Sequence, residues 1–441
     1  MLYPLMILIA ATCAAAVTVF GADPAWAAHR HGLEFIMLSR RLQWPLVAFT
    51  LTACLAICAL VIAGRWRAWW LIGLLPILGL FVERYAMDPM RMRQVAFEAK
   101  FVAASEAKFV AGGDEIVGLT FDGEFYAYPY SELYEFPVVA QAKPRRRLVV
   151  IWSAYANRAV AAETDWSVRP RELEIVSEPA NALLVYNNHI GQFINGVTGL
   201  TPDGQRPSGF LANIETVKTT WASWKRMHPA TLVLSPPEGW VVGGPTRPIA
   251  PRYPIPGADK GGEQMVALIQ SPTSPSHPVL VKDVDVSTAA DGVGLRPLNL
   301  VSDGNPLLVF READGMLKAF LRQANGDLTP RFYPVVATGK TPGVLTEQDS
   351  NSGWANDGRA ISGPLKGEKL QPFVVDDLVY LSVIKYWYPN ATILTPTAAD
   401  VGELPRPVLV SPRKATRSRG RRAPASRPRQ PRGAVAVRTA F

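Results

Sequence analysis

The chain contains 441 residues, 48% of them hydrophobic, and its formal net charge at pH 7 is +9. Ten basic residues and no acidic residue lie beyond residue 410, so the rest of the chain carries a net charge of −1. The overall charge therefore does not indicate a basic face on the folded part, and nucleic acid is not an expected partner.

Three apolar runs within residues 1–90 predict transmembrane helices. Residues 3–20 and 45–63 contain no charged residue and are long enough to span a bilayer. Residues 68–82 form a shorter run with a Trp pair suited to the membrane interface. The lipid bilayer is therefore a predicted partner. The first run also fits a cleavable signal peptide, because small residues at 25–28 are typical of a cleavage site, although a basic start is missing.

The charges that flank these runs favour opposite orientations. Arg65 and Arg67 form a short basic turn, and placing this turn in the cytoplasm puts the rest of the chain outside. A larger set of arginines favours the reverse: Arg30, Arg40, Arg41, Arg84, Arg91 and Arg93. The charges alone leave both orientations open.

Residues 105–235 have the pattern of a β-rich α+β domain. The segment EIVGLTFDGEFYAYPY alternates apolar and other residues and turns at Asp122-Gly123, which is a β-hairpin signal. Short runs rich in β-branched and aromatic residues follow, LVVIW and ALLVY. These patterns predict several short strands.

A helix is predicted near the end of this domain. Val217, Trp221 and Trp224 fall on one face at helical spacing, and Pro229 ends the pattern. The two Trp residues are interpreted as a stripe that faces the core.

The rest of the chain repeats this organisation. Residues 236–285 are rich in Pro and Gly and are predicted to be a linker, and residues 286–396 are predicted to be a second α+β domain. The segments WKRMHPATLVL and IKYWYPNATIL end the two domains alike, with Lys225 and Lys385 offset by 160 residues. We interpret this as an internal duplication. Residues 411–441, basic and rich in Pro and Ser, are predicted to be a disordered tail.

The order of the motifs resembles the prokaryotic domain-of-unknown-function family 3179. The motifs are DEIVGLTFDGEFYAYPYSEL, LVVIWSAYANRAV, ALLVYNN, WASWKRMHPATLVL and GWANDGRAISGPLKGEKL. The similarity covers about 110–234 as a degenerate first copy and 299–394 as a partial second copy. The resemblance implies a domain that is exported or tethered to a membrane by N-terminal helices, which favours an extracytoplasmic location.

The first copy departs from the family pattern. The family's first motif usually places cysteine where this chain has Ser153 and cysteine or threonine where it has Ala156. A Cys-x-x-Cys pair can bind a metal or cycle through a disulfide, and serine and alanine can do neither. Ile194 and Gly196 stand where the family has Trp and Gln.

The second copy keeps more of the pattern and contains the candidate ligand-binding residues, Asp349, Trp354, Asp357 and Arg359. They would present a carboxylate–guanidinium pair beside an aromatic platform, which suits a polar polymer or a small ligand. In the alternative interpretation, Gly353 and Gly358 adopt positive φ in tight turns and Trp354 packs in the core.

Other chemical motifs are absent from the sequence. All three cysteines lie in the apolar runs, so the remainder has no disulfide framework, thiolate metal site or thiol nucleophile. The segment GPLKGEKL lacks the Gly-Lys-Ser/Thr ending of a phosphate-binding loop, and Pro364 removes a backbone donor. The five histidines are scattered. We therefore predict no catalytic residue, metal or cofactor.

These observations predict an integral membrane protein with an extracytoplasmic, non-catalytic binding or scaffolding module. The alternatives are a cytoplasmic location and an enzyme that uses the carboxylates and Arg359 of the second domain. The tail is predicted to contact anionic lipid or an anionic polymer.

Overall fold

The structure is a computed structural model, which describes residues 2–84, 93–143, 146–237, 243–257, 264–271, 274–283, 296–312, 316–326, 328–334, 345–347 and 349–402. The predicted disordered tail, 411–441, lies outside these residues.

Two long apolar helices, α1 (Leu2–Phe20) and α2 (Gly32–Ile62), pack side by side in opposite directions. Ser39 of α2 donates a hydrogen bond to the carbonyl oxygen of Val17 (2.9 Å), and Thr50 lies beside Ala11 near the other end of the pair. By length and composition both helices can cross a membrane.

The third predicted span is a shorter apolar segment, Ala68–Val82. It consists of a 3-10 helix, Ala68–Leu74, followed by α3 (Leu75–Val82). Ile77 of α3 packs against α1 and α2. The described residues therefore contain two helices of spanning length where the sequence predicts three spans.

Helix α2 begins at Gly32, well before the predicted start of its span at residue 45. Its 31 residues correspond to a length of about 46 Å, which exceeds the ~30 Å of a bilayer's hydrocarbon core. The early turns carry the polar residues Glu34, Arg40 and Arg41. Arg40 is buried against the globular part of the chain, whereas Glu34 and Arg41 are exposed. An apolar-run criterion misses these turns because they contain charged residues.

The early turns of α2 dock on the globular part of the chain. A buried apolar cluster joins the two: Ile36, Val176, Leu184 and Phe193. Arg40 forms an ion pair with Glu174. Ser177 donates a hydrogen bond from its hydroxyl group to the carbonyl oxygen of Ala22 (2.8 Å). The helices and the domain thus share a packed interface.

The first half of the globular part forms three sheets, with the orders β1-β5-β6-β7-β11, β10-β9-β8 and β12-β3-β4-β13-β2. The strands are β1 (Val95–Ala96), β2 (Phe101–Ala103), β3 (Glu115–Phe121), β4 (Glu124–Pro129), β5 (Val138–Ala142), β6 (Arg147–Ser153), β7 (Arg158–Thr164), β8 (Leu173–Ser177), β9 (Leu184–Asn187), β10 (Gln192–Asn195), β11 (Phe210–Ile214), β12 (Thr216–Thr220) and β13 (Leu232–Leu234). Helix α4 (Tyr130–Glu135) follows β4, and α5 (Trp221–Met227) joins β12 to β13. Asp122 and Gly123, both with positive φ, connect β3 to β4, which confirms the predicted hairpin.

The second half also forms three sheets, β24-β14-β15-β25, β16-β17-β18-β23 and β19-β20-β21-β22. The strands are β14 (Met265–Ser271), β15 (Ser274–Val281), β16 (Leu298–Ser302), β17 (Asn305–Arg311), β18 (Leu317–Leu321), β19 (Phe332–Pro334), β20 (Leu345–Glu347), β21 (Gly353–Trp354), β22 (Ala360–Ser362), β23 (Gln371–Pro372), β24 (Val374–Tyr380) and β25 (Thr392–Leu394). Helix α6 (Leu381–Trp387) joins β24 to β25.

One sheet of each half has the same topology. The orders β12-β3-β4-β13 and β24-β14-β15-β25 both contain two antiparallel pairings followed by a parallel one. In each, a seven-residue helix joins the first strand to the last. The bounds of α5 and β13 recur 160 residues later in α6 and β25.

Strands β14 and β15 lie in the segment 236–285, which the sequence predicts to be a linker. They form the central hairpin of the second half's sheet, paired on either side with β24 and β25. The two strands are short apolar runs within a segment rich in Pro and Gly, and this overall composition led to the prediction of a linker.

The predicted helix is wrong where it includes Val217, because Val217 lies in β12. Thr216, Val217, Thr219 and Thr220 are β-branched residues, which suit a strand better than a helix. Helix α5 starts at Trp221, after Thr220 accepts a hydrogen bond at its hydroxyl oxygen from the Ser223 N–H (3.4 Å). Trp221 and Trp224 are buried, which confirms that they face the core.

Candidate functional site

Trp354 lies on β21 and is fully buried. Its ring meets Phe332 edge-on, with 5.5 Å between ring centroids, inside the apolar cluster beneath the last sheet. Its indole N–H has no hydrogen-bond partner among the described residues. The ring is therefore enclosed by protein and offers no open platform.

Asp357 and Arg359 lie on the turn between β21 and β22 and are largely exposed. Their side chains are 3.3 Å apart, and the backbone N–H of Arg359 donates to Asp357 (3.1 Å). Asp349 lies on the preceding turn, where its N–H donates to Glu347 (2.8 Å). Of the four candidate residues, only Asp357 and Arg359 are joined by a described polar contact.

The glycines of this segment serve the turns, with one exception. Gly358 has a φ of +79°, and a Cβ there would lie 2.6 Å from the Phe320 ring. Gly363 and Gly367 also have positive φ. Gly353 lies in β21 and lacks positive φ, so the prediction for that residue is wrong.

Ser153 and Ala156, which replace residues of the family's first motif, are both buried. The Ser153 hydroxyl accepts a hydrogen bond from the Leu183 N–H (3.0 Å). A Cβ at Gly196 would lie 2.6 Å from this hydroxyl. Ser153, Ile151 and the Leu183 carbonyl group leave no room for a side chain at Gly196, so we interpret Ser153 as a structural residue.

A polar centre surrounds Tyr155, between these two positions. Arg93 forms a buried ion pair with Glu178 and donates a hydrogen bond to the Tyr155 hydroxyl (3.3 Å). Arg252 donates to the same hydroxyl (3.3 Å). The hydrogen bond with Tyr155 and the nearby Arg93 lower the pKa of Tyr134, and burial raises the pKa of Glu178. Two guanidinium groups thus converge on two phenols.

The backbone beside this centre is strained. Ala180 is buried with a φ of +47°, a region that residues with a Cβ rarely adopt. Asn181 follows with a φ of +65°. Its side-chain oxygen accepts hydrogen bonds from the N–H groups of Arg252 and Tyr253, both 2.7 Å. Sequence reasoning missed this centre, because its members are spread from residue 93 to residue 253.

A second buried network joins the two halves of the domain. Asp376 of β24 accepts from Arg158 of β7 and from Lys218 of β12, the latter at 2.6 Å. Arg158 also donates to Gln270 (2.8 Å), which in turn donates to Tyr388 (3.1 Å). Burial lowers the pKa of Lys218, and Asp376 opposes this shift. Two cations share one carboxylate, away from solvent.

The backbone supports this network. The side chain of Asn157 donates to the carbonyl oxygen of Leu378 (2.7 Å) and accepts from the Tyr130 hydroxyl (2.8 Å). Asn157 and Leu378 both have positive φ, and Leu378 is a residue for which this is unusual. The network therefore fixes the first half of the domain against β24.

The sequence model of the family of proteins of unknown function DUF3179 matches residues 96–391. The chain belongs to family DUF3179. This confirms the resemblance, and the matched range runs through both halves, including the segment predicted as a linker. No curated protein and no solved structure matches the chain significantly.

In the described part of this DUF3179 protein, no group of three or more His, Cys, Asp or Glu residues is arranged to hold a metal ion. Cavities lie beside α2 and near Arg84. One of about 540 Å³ lies between α2 and β10, and two of about 310 and 390 Å³ lie around Phe97 and Arg171.

Glu132, on α4 of the DUF3179 domain, should make stability depend on pH. Its side chain is buried, and one carboxyl oxygen has no partner among the described residues. Burial and then Glu135 raise the pKa of Glu132 from 4.5 to about 8. At pH values between 4.5 and about 8, the Glu132 carboxyl group is protonated in the folded state and ionised in the unfolded state. The free energy of unfolding should therefore fall as pH rises through this range.

The test compares Glu132→Gln with Glu106→Gln, a change at an exposed residue. Chemical denaturation of the full chain at about pH 5 and about pH 8 should show a smaller loss of stability for Glu132→Gln than for the wild type. An equal loss in both variants would contradict the assignment.

Proposed function

We propose that the protein is a membrane-anchored, non-catalytic binding or scaffolding module whose domain faces the extracytoplasmic side. The observation that carries this proposal is the interface between α2 and the domain. The cluster around Ile36 and the Arg40–Glu174 ion pair hold the domain beside the point where α2 leaves the membrane. A domain held in this way presents a fixed surface near the bilayer.

The positions of tryptophan support the membrane placement. Trp44 is 65% exposed on α2, and about 27 Å of helix separates it from Ile62. Trp69 and Trp70 stack on each other, with 4.0 Å between centroids, just beyond the far end of α2. Tryptophan is enriched at both interfaces of a bilayer, and this separation is close to the hydrocarbon thickness.

The pairing of charges favours the extracytoplasmic orientation. Arg40 and Arg93 belong to the larger set of arginines that favours a cytoplasmic domain. Both form ion pairs, Arg40 with Glu174 and Arg93 with Glu178. Arg65 and Arg67 are exposed at the short turn on the opposite side. The positive-inside rule, by which Lys and Arg favour cytoplasmic loops, weighs short loops most heavily. We therefore place this turn in the cytoplasm.

A reporter fused after Phe441 tests the orientation. An enzyme that is active only outside the cytoplasm should be active in this fusion, and a cytoplasmic reporter should be inactive. The change Arg65→Glu with Arg67→Glu should reduce the first signal, whereas Arg226→Glu, on the domain surface, should leave it unchanged. If only the cytoplasmic reporter were active, the domain would face the cytoplasm and the proposed orientation would be wrong.

We also propose a third span and an internal duplication. The 3-10 segment rises about 2 Å per residue, so Ala68–Val82 would cover about 26 Å, nearly the hydrocarbon thickness. The shared topology of the sheets that contain α5 and α6 supports the duplication. The basic tail, 411–441, would add contact with an anionic lipid or polymer through its charge.

The alternative function, an enzyme that uses the carboxylates and Arg359 of the second half, has less support. It requires Asp349, Asp357 and Arg359 to converge on one substrate. Asp349 lies on a different turn from the exposed pair, and Trp354 is buried. We therefore retain Asp357 and Arg359 only as a candidate surface contact for a polar ligand.

A further inference from the structure

A groove lies on the domain beside the end of α3. The two cavities of about 310 and 390 Å³ share three lining residues, Phe97, Pro170 and Arg171. Arg84, two residues beyond α3, lines the larger cavity. The groove therefore extends from the membrane helices onto the domain.

The lining of the groove is rich in arginine. It contains five arginines, Arg84, Arg93, Arg147, Arg169 and Arg171, and two carboxylates, Glu172 and Glu174. Glu174 is paired with Arg40, Arg93 with Glu178, and Arg171 with Glu98. Arg147 and Arg169 form no ion pair with a described carboxylate, and these two cations favour an anionic occupant.

Part of this lining is held in place before any ligand binds. Arg147 donates a hydrogen bond to the carbonyl oxygen of Val168 (2.9 Å), and its guanidinium group lies 3.9 Å from the centroid of the Trp166 ring. Arg171 lies over Phe97, 4.9 Å from the ring centroid. A guanidinium group fixed in this way loses little conformational freedom when it binds a phosphate.

Exposed aromatic rings accompany these arginines. Trp166 is 59% exposed and Phe97 is 44% exposed. A combination of cationic and aromatic side chains suits the headgroup level of a bilayer, where a phosphate group and the first acyl carbons meet. In the proposed membrane placement, Arg84 lies at the end of α3, and the groove that it lines is at that level.

We propose that this groove binds the phosphate of an anionic phospholipid, with guanidinium groups donating to the phosphate oxygens and the rings contacting the apolar part. This inference rests on the proposed membrane anchoring. It differs from the proposed role of the tail, because it depends on side chains fixed by the fold.

The experiment uses the full chain in a neutral detergent and fluorescently labelled phosphatidylglycerol, with labelled phosphatidylcholine for comparison. Phosphatidylglycerol should bind saturably and at least tenfold more tightly than phosphatidylcholine, and added salt should weaken it. The double variant Arg169→Gln with Arg171→Gln should bind phosphatidylglycerol about 30-fold less tightly. This factor corresponds to a loss of ~1 kcal/mol for each basic residue beside an anionic membrane.

The control is Arg226→Gln, an exposed arginine on α5, which should bind as the wild type does. The tail is identical in all variants, so a difference between them belongs to the groove. Equal binding of the two lipids, or unchanged binding in the double variant, would overturn the proposal, and efficient competition by inorganic phosphate would assign the site to a free anion. Membrane retention of the double variant, measured separately, reports on anchoring alone.

Discussion

Replacing Asp376 with alanine should lower the free energy of unfolding by about 3–5 kcal/mol. Asp376 is 3% exposed and is the shared partner of Arg158 and Lys218. Its removal leaves two cations without their carboxylate in a region that solvent does not reach. The loss is large because the desolvation of both cations is no longer compensated by the ion pairs.

Denaturation of the full chain in detergent measures this effect. Asp376→Asn should be less severe than Asp376→Ala, because the amide oxygen still accepts a hydrogen bond. The matched control is Asp357→Ala, which removes an exposed ion pair with Arg359 and should cost less than about 1 kcal/mol. If Asp376→Ala costs no more than this control, the network does not stabilise the contact between the two halves.

Replacing Trp354 with alanine should cost about 3–5 kcal/mol, as for other buried aromatic residues. The change empties a space against Phe332 in the cluster beneath the last sheet. Trp354→Phe should cost less, because it keeps most of the apolar volume. It also removes an indole N–H that has no described partner.

The control is Trp166→Ala, at a tryptophan that is 59% exposed, which should change the free energy of unfolding by less than about 1 kcal/mol. A Trp354→Ala variant with a near-wild-type denaturation midpoint would show that the ring contributes little to the core. It would also restore Trp354 as a candidate ligand platform with Asp357 and Arg359.

Prediction of the candidate site depends on how far apart its residues lie in the sequence. The segment from Asp349 to Arg359 is contiguous, so its turns could be predicted from Asn-Asp-Gly and its glycines. The polar centre around Tyr155 could not be predicted, because Arg93 and Arg252 reach it from distant parts of the chain. The arginines of the groove likewise come from separate segments.

The sequence by itself determined the apolar runs, the family, the hairpin at Asp122-Gly123 and the core-facing Trp221 and Trp224. Each depends on neighbouring residues or on a motif order, which a sequence records directly. Only the tertiary structure decided that α2 extends to Gly32, because its early turns pack against the domain through Ile36 and Arg40. The tertiary structure alone also revealed the ion pair between Arg158 and Asp376, which are 218 residues apart in the sequence. An ion pair between such distant residues depends on how the sheets pack.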